Sequence, residues 1–225
     1  MSDAKAAALV TAAPEAQPEN EAANRYVPTD GQLAAFHAAQ RAAVAAGLDN
    51  PLTAYVSGRP GLTDPSTDDL IQWVSHKWGI PTAWIRAELI VESGWNQRRR
   101  GDLSIVTAAQ YAATPASLRG SGRDRVYASA GIAQVKALPL GATGAGTAPL
   151  RWRSTAFNLD YYAATVRYYY DGYCDWCSAG YHAGEAWRSI GAWDSPQPWA
   201  NATARSYVDA VRSALSRQPW TNRGL

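Results

Sequence analysis

The chain has 225 residues, 47% hydrophobic and 18% charged. That is enough apolar material for a sizeable core and excludes global disorder. No apolar run approaches the roughly 20 residues of a membrane helix, and a net charge of +2 is too small to imply nucleic-acid binding. Aromatic usage is skewed, with Trp 10 and Tyr 12 against Phe 2. Trp and Tyr carry an apolar face and a polar edge, which suits polar ring-shaped ligands as well as interiors.

Residues 1–65 read as an extension. A flexible, Ala-, Pro- and Glu-rich leader runs to about residue 30 and lacks the basic start and leucine-rich core of a signal peptide. An Ala-rich helix follows over Gly31–Gly47, then a turn-rich linker from Asn50 to Pro65. The main domain is expected over 66–225. Ser66 offers an N-cap for a helix ending at Gly79. Pro81 opens a second helix, TAWIRAELIVESGW, apolar nearly all round and so expected at the centre. An irregular stretch covers 96–127, a short helix is expected over 131–137, and a Gly/Ala/Pro loop over 138–149. Further helices are expected over 155–170, 181–190 and 200–215. Neither an alternating strand pattern nor an internal repeat stands out, so the expected class is mostly α.

Cys174 and Cys177 read as a small disulfide or two structural thiols. Two thiols with no nearby His do not complete a zinc site. His37, His76 and His182 are scattered, and neither a metal nor a cofactor is expected. From Arg86 to Arg153 ten basic residues face four acidic ones, an excess that suits either a solvated loop or an anionic polymer.

Glu92 is the residue with a chemical reading. It ends an otherwise apolar helix, where lost hydration and the negative end of the helix dipole both raise a carboxyl pKa. A carboxylic acid still protonated near neutrality is what glycosidic bond cleavage needs. Glu88, one turn earlier on the same face, is tied with it on composition and spacing.

The local strings separate the two. VESGWNQ (Val91–Gln97), ASAGIAQV (Ala128–Val135), AFNLDYYAATVRYY (Ala156–Tyr169), IGAWDS (Ile190–Ser195) and TARSYVDAV (Thr203–Val211) follow one another in an order that resembles the soluble lytic transglycosylases and goose-type lysozymes. The resemblance covers roughly Asp68–Leu215. It implies a lysozyme-like α fold with an N-terminal extension, and cleavage of the MurNAc–GlcNAc bond of peptidoglycan. The implied catalytic acid is Glu92. The implied sugar contacts are Ser93, Trp95, Gln134, Asn158 and Trp193. Tyr127 flanks the second string and is expected in the cleft with them; Tyr161 and Tyr162 follow Asn158 in the third, and one of the two, taken as Tyr162, is expected to face the cleft. Asp102 and Asp124 are candidate second carboxylates: with one across the cleft the enzyme would be a hydrolytic muramidase, and with neither a lytic transglycosylase. A glycan-binding module without catalysis and a chitinase- or chitosanase-like glycosidase are the competing classes. The implied partner is the peptidoglycan glycan strand, met as a secreted, wall-associated or phage-derived protein.

Overall fold

The computed structural model describes residues 1–47, 49–137, 144–174, 182–195 and 201–221. In chain order the helices are α1 (Asp3–Ala7), α2 (Glu21–Asn24), α3 (Asp30–Ala45), α4 (Thr67–Trp78) and α5 (Thr82–Ser93). After strand β1 (Arg100–Ile105) come α6 (Ala108–Ala113), β2 (Arg125–Ala130) and β3 (Val135–Lys136). The chain continues through α7 (Leu150–Arg153), α8 (Thr155–Tyr170), α9 (Ala186–Asp194) and α10 (Ala202–Arg217). The fold is mostly α, with one small antiparallel sheet in the order β1-β2-β3. Among the described residues no helix is long and apolar enough to cross a membrane.

Helix termini form where the sequence caps them. Ser66 accepts from the Asp69 N–H while the Asp69 side chain accepts from the Ser66 N–H, and α4 stops at Gly79 in the left-handed region. A matching box of Thr29 and Gln32 starts α3. The central helix is α8 rather than α5. All but three residues of α8 are buried, whereas α5 buries Ile85, Ala87, Glu88 and Leu89. Leu70, Trp73 and Val74 of α4, Ile85 and Leu89 of α5, and Leu159, Tyr162 and Val166 of α8 share one core. Ala87, Ile190, Val208 and Val211 join α5 to α9 and α10 in another. Of α5, Glu92 in the last turn lines the cleft described below.

Two expectations are corrected. The stretch over 131–137 is not a helix. Gly131 (φ 90°) and Gln134 (φ 53°) are both left-handed, so the chain turns tightly and returns as β3 against β2. Residues 96–127 also hold strand structure that alternation did not reveal. β1 pairs with β2 from Arg100 opposite Ala130 to Ile105 opposite Arg125. β1 has exposed residues on both faces and no apolar period.

The leader expected to be flexible up to about residue 30 is instead packed against the main domain, and the linker is fastened to it as well. Ala6 is fully buried in the main core. The buried Lys77 ammonium pairs with Asp3 (2.7 Å) and Asp160 (2.8 Å). Asp160 also accepts from the Ser57 and Gly58 N–H groups and from the Trp78 indole. One fully buried carboxylate thus ties the linker to α4 and α8 and, through Lys77, holds α1 as well. Such a charge is tolerable only when every partner is present. Further along, Asn20 donates to the Trp95 carbonyl (2.6 Å) and accepts from the Gln97 N–H (2.8 Å), and Gln17 donates to the Gly94 carbonyl (3.1 Å). The extension therefore clamps the C-terminal end of α5, the helix that carries Glu92. Cys174 is buried and disulfide-bonded. Cys177, residues 138–143 of the Gly/Ala/Pro loop, and the expected helix starts at 181 and 200 lie outside the described residues.

Candidate active site

A cleft of about 570 Å³ is lined by Glu92, Arg99, Arg100, Gly101, Asp102, Ser129, Gln134, Lys136, Trp193 and Asp194 at one end. Asp49, Asn50, Tyr161, Thr165, Tyr168 and Tyr169 line the other. That volume suits a ligand of several rings or a short oligomer.

Glu92 lies in the last turn of α5, which ends on left-handed Gly94 (φ 63°). Its Oε1 accepts a 2.5 Å hydrogen bond from the Tyr207 hydroxyl on α10. Burial raises the carboxyl from 4.5 to about 7, against the pull of the Tyr207 hydrogen bond; the Asp194 charge adds to the rise, and a Trp193 hydrogen bond opposes it. The group is therefore half protonated near neutral pH.

Glu88 is 1% exposed and lies behind Glu92. Its Oε2 accepts from the Tyr162 hydroxyl at 2.5 Å, and its Oε1 lies 3.3 Å from the Tyr207 hydroxyl. Burial holds its carboxyl well above the ordinary range. Tyr207 has a single phenolic proton, and the shorter contact to Glu92 takes it. The longer contact fits a neutral Glu88 sharing its own proton with the phenol oxygen. Glu88 is thus a sealed support behind Glu92, and the tie between the two carboxylates is broken by exposure.

Gln134 is placed by a turn whose backbone is held from three sides. The Ser93 hydroxyl donates to the Ile132 carbonyl (2.6 Å). The Gln97 side chain accepts from the Ile132 N–H (2.9 Å). Asn158, fully buried on α8, accepts from the Ala133 N–H and donates to the Ala130 and Arg151 carbonyls. A Cβ on Gly131 would sit 2.1 Å from the Asn158 amide nitrogen, so only glycine fits there. Gln134 then donates to the Gly131 carbonyl (2.7 Å) at the cleft wall.

Of the residues expected to touch sugar, the structure brings Glu92, Gln134, Trp193 and Asp102 together. Ser93 and Asn158 are instead the staples just described. Trp95 is 2% exposed, with its indole donating to the Arg86 carbonyl. The left-handed Gly94–Trp95 cap turns that ring into the core. Tyr162 is fully buried on Glu88 and packs edge-on against Trp193 at 5.1 Å. Tyr127 faces a different hollow, with Leu118 and Val126. Asp124 is exposed near the far end of the β1–β2 hairpin and outside the cleft.

Asp102 is at the cleft in a left-handed conformation (φ 51°), which Asp tolerates better than most non-glycine residues. Its Oδ2 takes the Ser129 hydroxyl (2.7 Å) and the Lys136 ammonium (3.1 Å). Burial tends to raise its pKa, but these two partners outweigh it and hold the carboxyl below the usual range. Asp194 was not singled out from sequence, although it adjoins Trp193. Burial and the Asp102 charge raise its carboxyl, and Lys136 opposes them. Tyr207 sat in a noted string, but nothing in the sequence paired it with Glu92. Among the described residues no group of His, Cys, Asp or Glu could hold a metal ion.

Comparison of the chain with models of known protein families, with curated proteins and with solved structures finds no match.

Proposed function

We propose that the chain is a peptidoglycan-cleaving glycosidase with a lysozyme-like fold, acting as a lytic transglycosylase through the single acid Glu92. The observation that carries this reading is a carboxyl raised to about 7 at the wall of a cleft that also presents Gln134 and Trp193. Protonated Glu92 donates to the glycosidic oxygen as the C1–O bond breaks, giving an oxocarbenium-like transition state. The carboxylate left behind takes the proton of the muramic C6 hydroxyl. That oxygen bonds to C1 and closes a 1,6-anhydro ring, so no water is consumed. Tyr207 suits both halves, because its hydroxyl steadies the carboxylate formed in the first and orients it as base for the second.

Hydrolysis is the second reading, carried by ionised Asp102 in the same cleft. Ser129 and Lys136 already engage this carboxylate and weaken it as a base, which favours the single-acid route. A carboxyl tuned to about 7 supports turnover over mere glycan binding. Glu92→Gln is expected to abolish turnover of purified peptidoglycan while leaving glycan binding in place. Turnover near the wild-type rate in that variant removes Glu92 from the chemistry.

A further inference from the structure

Between the end of α5 and the Gln134 turn the chain builds an arm whose outer part lies beyond the cleft. Strand β1 forms the edge of the sheet and pairs with β2 from Arg100 opposite Ala130 out to Ile105 opposite Arg125. Past Ile105 the chain runs through α6, capped by a Thr107–Gln110 box, and returns with Arg119 bridged to Val126. Leu118 and Val126 are buried and anchor this outer part, whereas α6 buries none of its residues.

The outer surface of the arm is both cationic and apolar. From Arg98 to Arg125 there are six arginines, and the acids are Asp102 and Asp124. Lys136 takes Asp102, and none of the six arginines makes an ion pair among the described residues. Leu103 is 43% exposed and Ile105 76%, the latter more than any other large apolar side chain described. Two residues apart on one strand, they share a face. Arg125 stands directly opposite Ile105. The Val106 N–H donates to the Asp124 carbonyl (2.7 Å), which keeps Arg123 at the same end of the arm.

Aliphatic side chains in water beside unpaired cations fit a partner that offers both an apolar interior and negative charge. A second copy pairing along the β1 edge would set arginines against arginines. A phosphate polymer would match the charge and leave Leu103 and Ile105 in water. An anionic bilayer matches both, with arginines at the lipid phosphates and aliphatic tips at the acyl boundary.

We propose that this arm docks the protein on the surface of an anionic lipid bilayer, with Leu103 and Ile105 entering the headgroup region and Arg123 and Arg125 on lipid phosphates. The proposal does not depend on what the cleft cleaves. Arg99, Arg100, Gly101 and Asp102 at the base of the arm line the cleft. At about 3.3 Å per residue β1 sets Ile105 roughly 17 Å from Arg100, so a docked arm holds the cleft close to the lipid.

The test is sedimentation of the full chain with vesicles of phosphatidylcholine alone or mixed equally with phosphatidylglycerol. Binding is expected to the mixed vesicles and not to the neutral ones, and it should weaken as salt rises. Replacing Arg123 and Arg125 together by Gln is expected to weaken it roughly thirtyfold. Ile105→Gln should cost on the order of tenfold, and Ile105→Leu should stay close to the wild type. All three side chains are exposed, so melting temperatures should not move. Wild-type protein that ignores the mixed vesicles overturns the proposal, as do folded Arg123→Gln/Arg125→Gln and Ile105→Gln proteins that bind them as the wild type does. Polyphosphate is the counter-probe: capture by it that Ile105→Gln leaves intact, without vesicle binding, assigns the arm to a phosphate polymer and also overturns the bilayer.

Discussion

Replacing Glu92 by Gln should stabilise the protein in alkaline solution. The folded carboxyl titrates near 7, against 4.5 for an ordinary Glu. Between those values the folded state binds more protons than the unfolded one, so stability falls as pH rises through the window. Above 7 the charged carboxylate costs the native state about 3 kcal/mol at most, at 1.36 kcal/mol for each pH unit of pKa change. Gln keeps the shape and still accepts from Tyr207, but cannot ionise. The variant should match the wild type at pH 4 and exceed it by about 2–3 kcal/mol at pH 8. For a chain of this size that is a rise of roughly 5–10 °C in melting temperature. Thermal or urea unfolding of both proteins across pH 4–8 measures it, and the difference cancels the shared contribution of Glu88. A difference that does not grow with pH would refute the claim that burial tunes Glu92.

Tyr207→Phe removes a hydrogen bond that favours charged Glu92, so the alkaline limb of the pH–rate profile should move up by roughly one pH unit, with kcat down on the order of tenfold. An unmoved limb would show that the phenol does not act on Glu92. Asp102→Asn should cost less than about tenfold in kcat/KM on peptidoglycan; a loss of about 10²–10⁴ would mark Asp102 as a working base. Asn158→Ala strips partners from one N–H and two carbonyls of the buried turn framework and should lower stability by about 3 kcal/mol or more, seen as an earlier denaturant midpoint.

The longer helices α3, α4, α5, α8 and α10 were legible because their signals are local, whereas the short α1, α2, α6 and α7 were not expected. Ser66, Gly79 and the apolar spacing of α4 lie within a few residues of one another. Glu92 was legible for the same reason, since a carboxyl ending an apolar helix is a local oddity. The sheet was not, because β1 alternates no apolar face and is defined by pairing with a strand some 25 residues away. Trp95 was misplaced because its direction depends on two consecutive left-handed residues, Gly94 and Trp95. Ser93, Asn158 and Tyr162 lie beside the site in sequence but spend their polar atoms on backbone or on Glu88. Asp49, Asn50 and the Tyr207–Glu92 pair are products of tertiary folding, joined across about 115 residues, and no local pattern carries them. The extension looked loose because Ala, Pro and Glu dominate it. Its order comes from single polar groups, half-buried Asp3 and buried Asn20 and Asn24, that meet partners far along the chain.

The central claim is that Glu92 acts alone, as acid and then as base. Mass spectrometry of the sugar ends released from purified peptidoglycan tests it most directly. The account predicts 1,6-anhydromuramic ends; reducing muramic ends, each heavier by one water, would contradict it.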